Sequence, residues 1–220
     1  MMLRPVLIPG HGVRYPSGYK PGACADLNGD GRIEPSEHEA TLVRTICDRI
    51  VPLLRSHGAE PIVLAGSGYR SAMVGAAHLA QRNPIDLVPV IHVHLNAAAG
   101  RHRNEGIVFA DSRSAGGTLL ARCIESAWAN GLPLSLRTDG VRRVNVDVSS
   151  PGGWASAASL IQPVWSAPGN QCGILIEPGF IDRFVGMSAA QIGETLGHIA
   201  HTTVAGIVQW YALRADGGLA

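Results

Sequence analysis

Short, almost wholly apolar runs set between helical patterns constrain this chain more than any other feature. "RPVLIPG" (4–10), "EPIVLAG" (60–66), "IDLVPVIHVHL" (85–95), "EGIVFAD" (105–111) and "CGILIEPG" (172–179) are rich in Val, Ile and Leu. A strand covered on one face alternates apolar and polar residues. A strand apolar throughout needs cover on both faces, as in parallel sheets. "VRRVNVDV" (141–148) does alternate and reads as an edge or exposed strand. Helical periodicity falls near 37–57, 71–81, 114–130 and 188–213. The last of these opens with Ser188 and Gln191 at capping-box spacing. It then sets Ile192, Leu196, Ile199, Ile207 and Tyr211 along one side. This alternation predicts an α/β fold with a mostly parallel sheet. "SSPGGWASAAS" (149–159) reads as a surface loop, too short to separate domains, so a single domain is expected over 1–220.

The chain has 220 residues, of which 46% are hydrophobic and 16% charged, enough to bury a sizeable core unaided. A net charge of +1 argues against recruitment by nucleic acid or acidic membranes. Cys24, Cys47, Cys123 and Cys172 form no CxxC pair, so buried free thiols are expected rather than a cysteine zinc site. The apolar start of "MMLRPVLIPGHG" is too short for a signal sequence. No run approaches the roughly 20 apolar residues of a membrane span. A soluble chain without its own export signal is expected.

Three fragments at strand ends carry chemistry. "PGHG" puts His11 after the first strand, "HVHLNAA" puts His92 and His94 at the end of the third, and "ILIEPGF" puts Glu177 at the end of the last. Ligands of open α/β sheets gather outside the carboxyl ends of the strands. Imidazoles and a carboxylate delivered there suit a catalytic zinc site with an open fourth position. Each fragment also has a plainer reading: His11 as a turn residue, or one of His92 and His94 as a core histidine. Glu177 is harder to set aside, because a carboxylate after "ILI" is costly to bury alone.

Helix 37–57 starts with two glutamates. On a helical wheel Leu42, Val43, Ile46, Ile50, Leu53 and Leu54 fall within about 60° of Glu39, and Glu37 lies about 160° away. Glu39 is therefore expected on the core side, either reaching the sheet edge or capping the helix with Ser36. Pro52 predicts a kink or an earlier end. Just before, "DLNGDGRIEPSE" fits a calcium loop: Asp26, Asn28 and Asp30 at positions 1, 3 and 5, Gly31 at 6, Arg32 offering its carbonyl at 7, and Glu37 at 12. With no helix before it, this is a lone loop inserted at about 24–37. Its role would be to order the rim of the site.

These motifs, in this order, resemble the zinc-dependent N-acetylmuramoyl-L-alanine amidases of the amidase type 3 group, cell-wall hydrolases and phage endolysins among them. "IPGHGV" is similar to the family's "DPGHGG", and "EATLVRTICDRIVPLLRSHG" to its "EKDxxLxIAxxLxxLLExxG" when Glu39 is the match. "VIHVHLNAA" is similar to "SIHANA", which selects His94 over His92. "GVRRVN" resembles "RGVK", and "ILIEPGFIDR" resembles "VLVETGFLSN". The departures are Ile8 for the family's aspartate, Pro178 after the glutamate, and Asp182-Arg183 for "SN". None removes a residue that the family uses as a metal ligand or as the base.

The resemblance implies a twisted, mostly parallel sheet flanked by helices on both faces. It implies that His11, Glu39 and His94 ligate zinc, that Glu177 is general base and then general acid, and that Asn96 supports the site near His94. The implied activity is hydrolysis of the peptidoglycan amide between the lactyl group of N-acetylmuramic acid and L-alanine, at the bacterial cell wall. Delivery would be by a lysis system, a virion or processing. A zinc hydrolase of another amide and a non-catalytic calcium-binding wall module are the competing readings.

Overall fold

The computed structural model describes residues 2–15, 18–65, 75, 78–79, 88–97, 105–133, 136, 139–147 and 171–215. The predicted loop at 149–159 and most of the predicted helix at 71–81 lie outside them. Residues 75, 78 and 79 of that helix are described and are helical.

The chain order is β1 (Val6–Pro9), β2 (Val13–Tyr15), β3 (Gly18–Lys20), a 3-10 turn at Pro35–Glu37, α1 (Glu39–Ser56), β4 (Ile62–Val63), β5 (Val88–Val93), β6 (Gly106–Asp111), α2 (Ala115–Gly131), β7 (Val141–Val146), β8 (Gln171–Glu177), a 3-10 turn at Ile181–Phe184 and α3 (Ala189–Ala215). Among the described residues six strands form one sheet in the order β4-β1-β5-β8-β6-β7, and β2 and β3 form a separate hairpin. The pairs β1–β4, β1–β5, β5–β8 and β6–β7 are parallel. β6 runs antiparallel to β8, the one antiparallel pair of this sheet among the described residues, so the sheet is mostly parallel as predicted. β7 takes the edge, as its alternation predicts.

The apolar strands are covered on both sides. Leu7, Ile91, Val93, Val108, Ala110, Ile174 and Ile176 pack into one cluster with residues of α1, α2 and α3. Val6, Ile8, Val88 and Val90 point the other way, against Leu64 and Leu79. The three long helices therefore share one face, and the helical residue Leu79 lies on the other. α1 runs on through Pro52 to Ser56. The predicted early end does not occur, because Ile50 and Leu54 on either side of Pro52 are fully buried. Packing of this stripe outweighs one missing amide. α3 starts as predicted: Ser188 N–H donates to Gln191 Oε1 (2.8 Å) and Gln191 N–H donates to Ser188 Oγ (3.3 Å). All four cysteines are free, with Cys47, Cys123 and Cys172 buried.

α2 and α3 meet where α3 lacks a side chain. A Cβ on Gly206 would stand 2.7 Å from Ile124 Cα and 2.9 Å from its backbone nitrogen. Two buried indoles tie the pair: Trp128 Nε1–H donates to Thr203 Oγ1 (3.1 Å), and Trp210 Nε1–H donates to the Gly116 carbonyl (3.2 Å). Backbone cannot give way as a flexible side chain can, so a methyl here acts as overpacking. Gly206→Ala is expected to destabilise the fold by about 1–3 kcal/mol in equilibrium denaturation. An unchanged midpoint would show that the helices can separate at no cost.

Candidate active site

Adjacent strands bring three chemical groups to one sheet edge. β1, β5 and β8 are neighbours and parallel, so their carboxyl ends lie side by side. His11 stands two residues past β1, His94 one residue past β5, and Glu177 ends β8. Backbone bonds continue the ladder beyond the strands. Gly10 N–H donates to the Val93 carbonyl (2.7 Å), and His94 N–H donates to the Ile176 carbonyl (2.9 Å).

Glu39 opens α1 and reaches this edge from the helical layer. The helix has no side-chain N-cap. Its first amides, on Glu39 and Ala40, donate to the carbonyls of Ala23 (2.8 Å) and Pro21 (3.0 Å). Ala23 N–H returns a bond to Glu39 Oε2 at 2.9 Å, and Leu95 N–H donates to Oε1 at 3.0 Å. The carboxylate therefore does not cap its own helix with Ser36. It also lies 3.3 Å from His11 Nε2 and 3.2 Å from His94 Nδ1. The two rings meet edge-on, with centroids 5.2 Å apart. Each of the three residues offers one ligand atom, and these atoms lie within 4.8 Å of one another. Among the described residues this is the one group of three such side chains so placed.

The electrostatics suit ligand chemistry. Burial lowers the His11 pKa against the pull of Glu39, which favours the neutral imidazole a metal needs. Burial opposes the charge on Glu39. The His94 hydrogen bond, the two imidazoles and the Ala23 amide outweigh it and hold the carboxyl below its ordinary range. Glu177 behaves oppositely. Burial, and then the charges of Glu39 and Glu105, push it up to about 7. Among the described residues its carboxylate has no hydrogen-bond or ion-pair partner. It is a carboxyl group poised to exchange a proton near neutral pH.

His92 is the core histidine of the pair. It lies within β5, is fully buried, and neither ring nitrogen has a partner among the described residues. Burial, with His94 adding to it, pushes its pKa down to about 3. Asn96 serves through its backbone. Its N–H donates to the Gly179 carbonyl and its carbonyl accepts from Ile181 N–H, both at 2.9 Å, while its side-chain oxygen accepts from Ala97 N–H (2.7 Å). It thereby ties the segment after β5 to the segment after β8.

The loop before α1 corrects one expectation. Glu37 is not part of the helix that Glu39 opens. It closes a 3-10 turn and is only 4% exposed. A wheel of 100° per residue does not span the change from that turn to α1 at His38. Glu37 Oε2 accepts from Glu34 N–H (2.8 Å), and Oε1 accepts from Leu27 (2.8 Å) and Asn28 (3.0 Å). The Glu34 amide, then those of Asn28 and Leu27, hold its pKa below the ordinary range against burial. Asp26 likewise accepts from the amides of Gly29, Asp30 and Gly31, Asn28 from Asp30, and Asp30 from Arg32. The carboxylates of Asp26, Asp30 and Glu37 do not converge as the His11 group does.

Gly22 and Glu105 are the site residues that sequence reasoning missed. Gly22 has φ +82°, and a Cβ there would stand 2.5 Å from the His11 ring and 2.6 Å from Glu39 Oε2. Its position in "KPGACA" marks a turn, but nothing local marks the close approach. Glu105 is buried and paired with Arg142 at 2.9 Å. His11 itself takes φ 59°, a left-handed conformation that costs a non-glycine residue about 1–3 kcal/mol and clusters at functional sites. Gly22→Ala is expected to keep the helical circular dichroism but retain less of an added divalent ion on dialysis than the wild type. Full metal retention would show that the cradle tolerates a side chain.

Comparison with solved structures places this fold. The chain superposes on the N-acetylmuramoyl-L-alanine amidase AmiC2 of Nostoc punctiforme at 16% identity, with TM-score 0.63, over 96% of this chain and 97% of that one. It matches an N-acetylmuramoyl-L-alanine amidase from Clostridium difficile 630 at 18% identity, TM-score 0.64, over 96% and 97%. It matches the catalytic domain of an endolysin targeting Clostridia difficile at 16% identity, TM-score 0.59, over 95% and 98%. The chain has the α/β fold of these catalytic domains over nearly its whole length. No family model matches the sequence, and no curated protein does.

Proposed function

We propose that this chain is a zinc-dependent peptidoglycan amidase that cleaves the bond between the lactyl group of N-acetylmuramic acid and L-alanine. The observation that carries the proposal is the convergence of His11, Glu39 and His94 at the strand edge that also holds Glu177. The shared fold with N-acetylmuramoyl-L-alanine amidases supports it. So does the order of the motifs along the chain.

The donor set fits zinc. Two imidazoles and a carboxylate make three protein ligands, and Gly22 packs against two of them where a Cβ would meet the His11 ring and Glu39 Oε2. His11, Glu39 and His94 would hold the ion, with Glu39 kept ionised by its amides and His11 kept neutral by burial. When bound, zinc supplies Lewis-acid polarisation of the substrate carbonyl and a more acidic water.

Glu177 handles the proton. As a carboxylate it takes one from the attacking water as the water oxygen bonds to the amide carbon. The carbon–nitrogen bond then breaks, and Glu177 returns the proton to the leaving nitrogen of L-alanine. The products are a lactyl carboxylate and a free alanine amine. A pKa near 7 suits both halves of this exchange. The site of action is the bacterial cell wall, reached through a lysis system, a virion or processing.

Digestion of purified sacculi tests this reading. Free N-terminal alanine is expected without new reducing ends, chelation should stop its release, and zinc should restore it. Glu177→Gln should retain zinc and lose about 100-fold or more of the rate. Reducing sugar in place of alanine, or full rate in metal-free protein, would overturn the proposal.

Calcium at the 26–37 loop completes the proposal, and it rests on the residue pattern. Gly31 takes φ +85°, as the sharp turn at position 6 requires. Calcium would exchange the backbone amides on Glu37 and Asp26 for the ion. Added calcium should then raise the melting temperature, with stabilisation reaching about 2.7 kcal/mol at 100 times the dissociation constant. Glu37→Ala should abolish that shift and keep zinc. A wild-type melt indifferent to calcium would reduce the loop to a hydrogen-bonded turn.

A further inference from the structure

A cavity of about 500 Å³ opens beside His11 of the candidate ligand group. One wall carries Pro9 and His11 from the end of β1, the other carries Thr41, Arg44 and Thr45 from the outer side of α1, and Ala65 closes it after β4. Among the described residues Arg44 is the one charged side chain lining this cavity. Its bonds to Asp48 are both made by Nε, at 2.9 and 3.1 Å. Among the described residues its two terminal nitrogens are engaged by nothing. Thr41 Oγ1–H donates to the Pro35 carbonyl, and Thr45 Oγ1–H donates to the Thr41 carbonyl. These hydroxyls have spent their hydrogens, so their oxygens offer acceptors to the cavity. The wall thus pairs two acceptors with one cationic fork, complementary to peptide N–H groups beside a carboxylate.

We propose that this cavity receives the peptide side of the substrate and that Arg44 binds a carboxylate carried by the second residue of the stem. The inference rests on the amidase reading and adds a specificity residue to it. Geometry sets the position. Arg44 lies five residues along α1 from Glu39, a rise of about 7.5 Å. Two residues of extended peptide beyond the scissile bond span about 7 Å. Asp48 holds Nε from behind and aims the two free nitrogens, so a planar carboxylate can be met by two parallel hydrogen bonds.

Two measurements test it. The first compares wild-type and Arg44→Ala cleavage of two soluble N-acetylmuramoyl-L-alanyl substrates. In one the second residue carries a free carboxylate, in the other a carboxamide. Wild type should favour the acidic substrate by about 10-fold to 100-fold in kcat/KM, the worth of hydrogen bonds to a charged group. Arg44→Ala should collapse that ratio towards one, mainly through KM, and Arg44→Lys should recover some of it. Equal losses on both substrates, or no wild-type preference, would overturn the proposal. The second measures calorimetric binding of the free acidic dipeptide to wild type and to Arg44→Ala, and needs no turnover. Binding that is weakened at least tenfold in the variant supports the subsite even if no amide is cleaved, in which case only the amidase reading falls. Equal binding by both proteins sinks the subsite alone.

Discussion

A carboxylate that is 2% exposed must be held on every side, and Glu39 is. Two backbone amides and two imidazoles surround its oxygens. An unpaired charge at this depth would cost several kcal/mol. The fold meets that cost with groups from three separate segments: the 21–23 turn, the residues after β1 and the residues after β5. The same clasp caps the helix, because Glu39 N–H donates to the carbonyl of the residue whose amide its side chain accepts. Helix placement and the placement of the proposed ligand carboxylate are therefore one interaction. Removing the Glu39 side chain would leave two imidazoles facing each other and the backbone amides of Ala23 and Leu95 without their acceptor.

Around this clasp, shape does as much as charge. Gly22 lets the backbone close over His11 and Glu39, and Gly10 does the same beneath the His94 ring, where a Cβ would stand 2.6 Å away. The parallel ladder β1–β5–β8 sets the three strand ends side by side. On that edge Glu39 is held ionised by donors, while Glu177 is pushed to about 7 by burial and by two like charges. Two carboxyl groups with opposed environments can hold an ion and move a proton without exchanging roles.

Much of this was legible in the sequence because it is local. Unbroken apolar runs marked the strands, and the Ser188–Gln191 spacing marked the start of α3. What resisted reading was not local. The bond between Ala23 and Glu39 joins residues 16 apart, and that between Leu95 and Glu39 joins residues 56 apart. No periodicity encodes either. The wheel placed Glu39 correctly because α1 begins there, and misplaced Glu37 because a 3-10 turn precedes it. Motif resemblance singled out His94, and the ladder explains why. His92 sits inside β5 between Ile8 and Leu175, and only His94 clears the strand end. Pro52 misled because eight buried residues of α1 outweigh one lost helical bond.

The central claim is that Glu39 joins His11 and His94 as a ligand set for a divalent ion. X-ray absorption at the zinc edge of the loaded protein tests it most directly. The account predicts two imidazole ligands and a first shell of only nitrogen and oxygen at about 2.0–2.2 Å, with one oxygen scatterer lost in Glu39→Ala. A sulfur shell near about 2.3 Å, or a spectrum unaltered in Glu39→Ala, would contradict it.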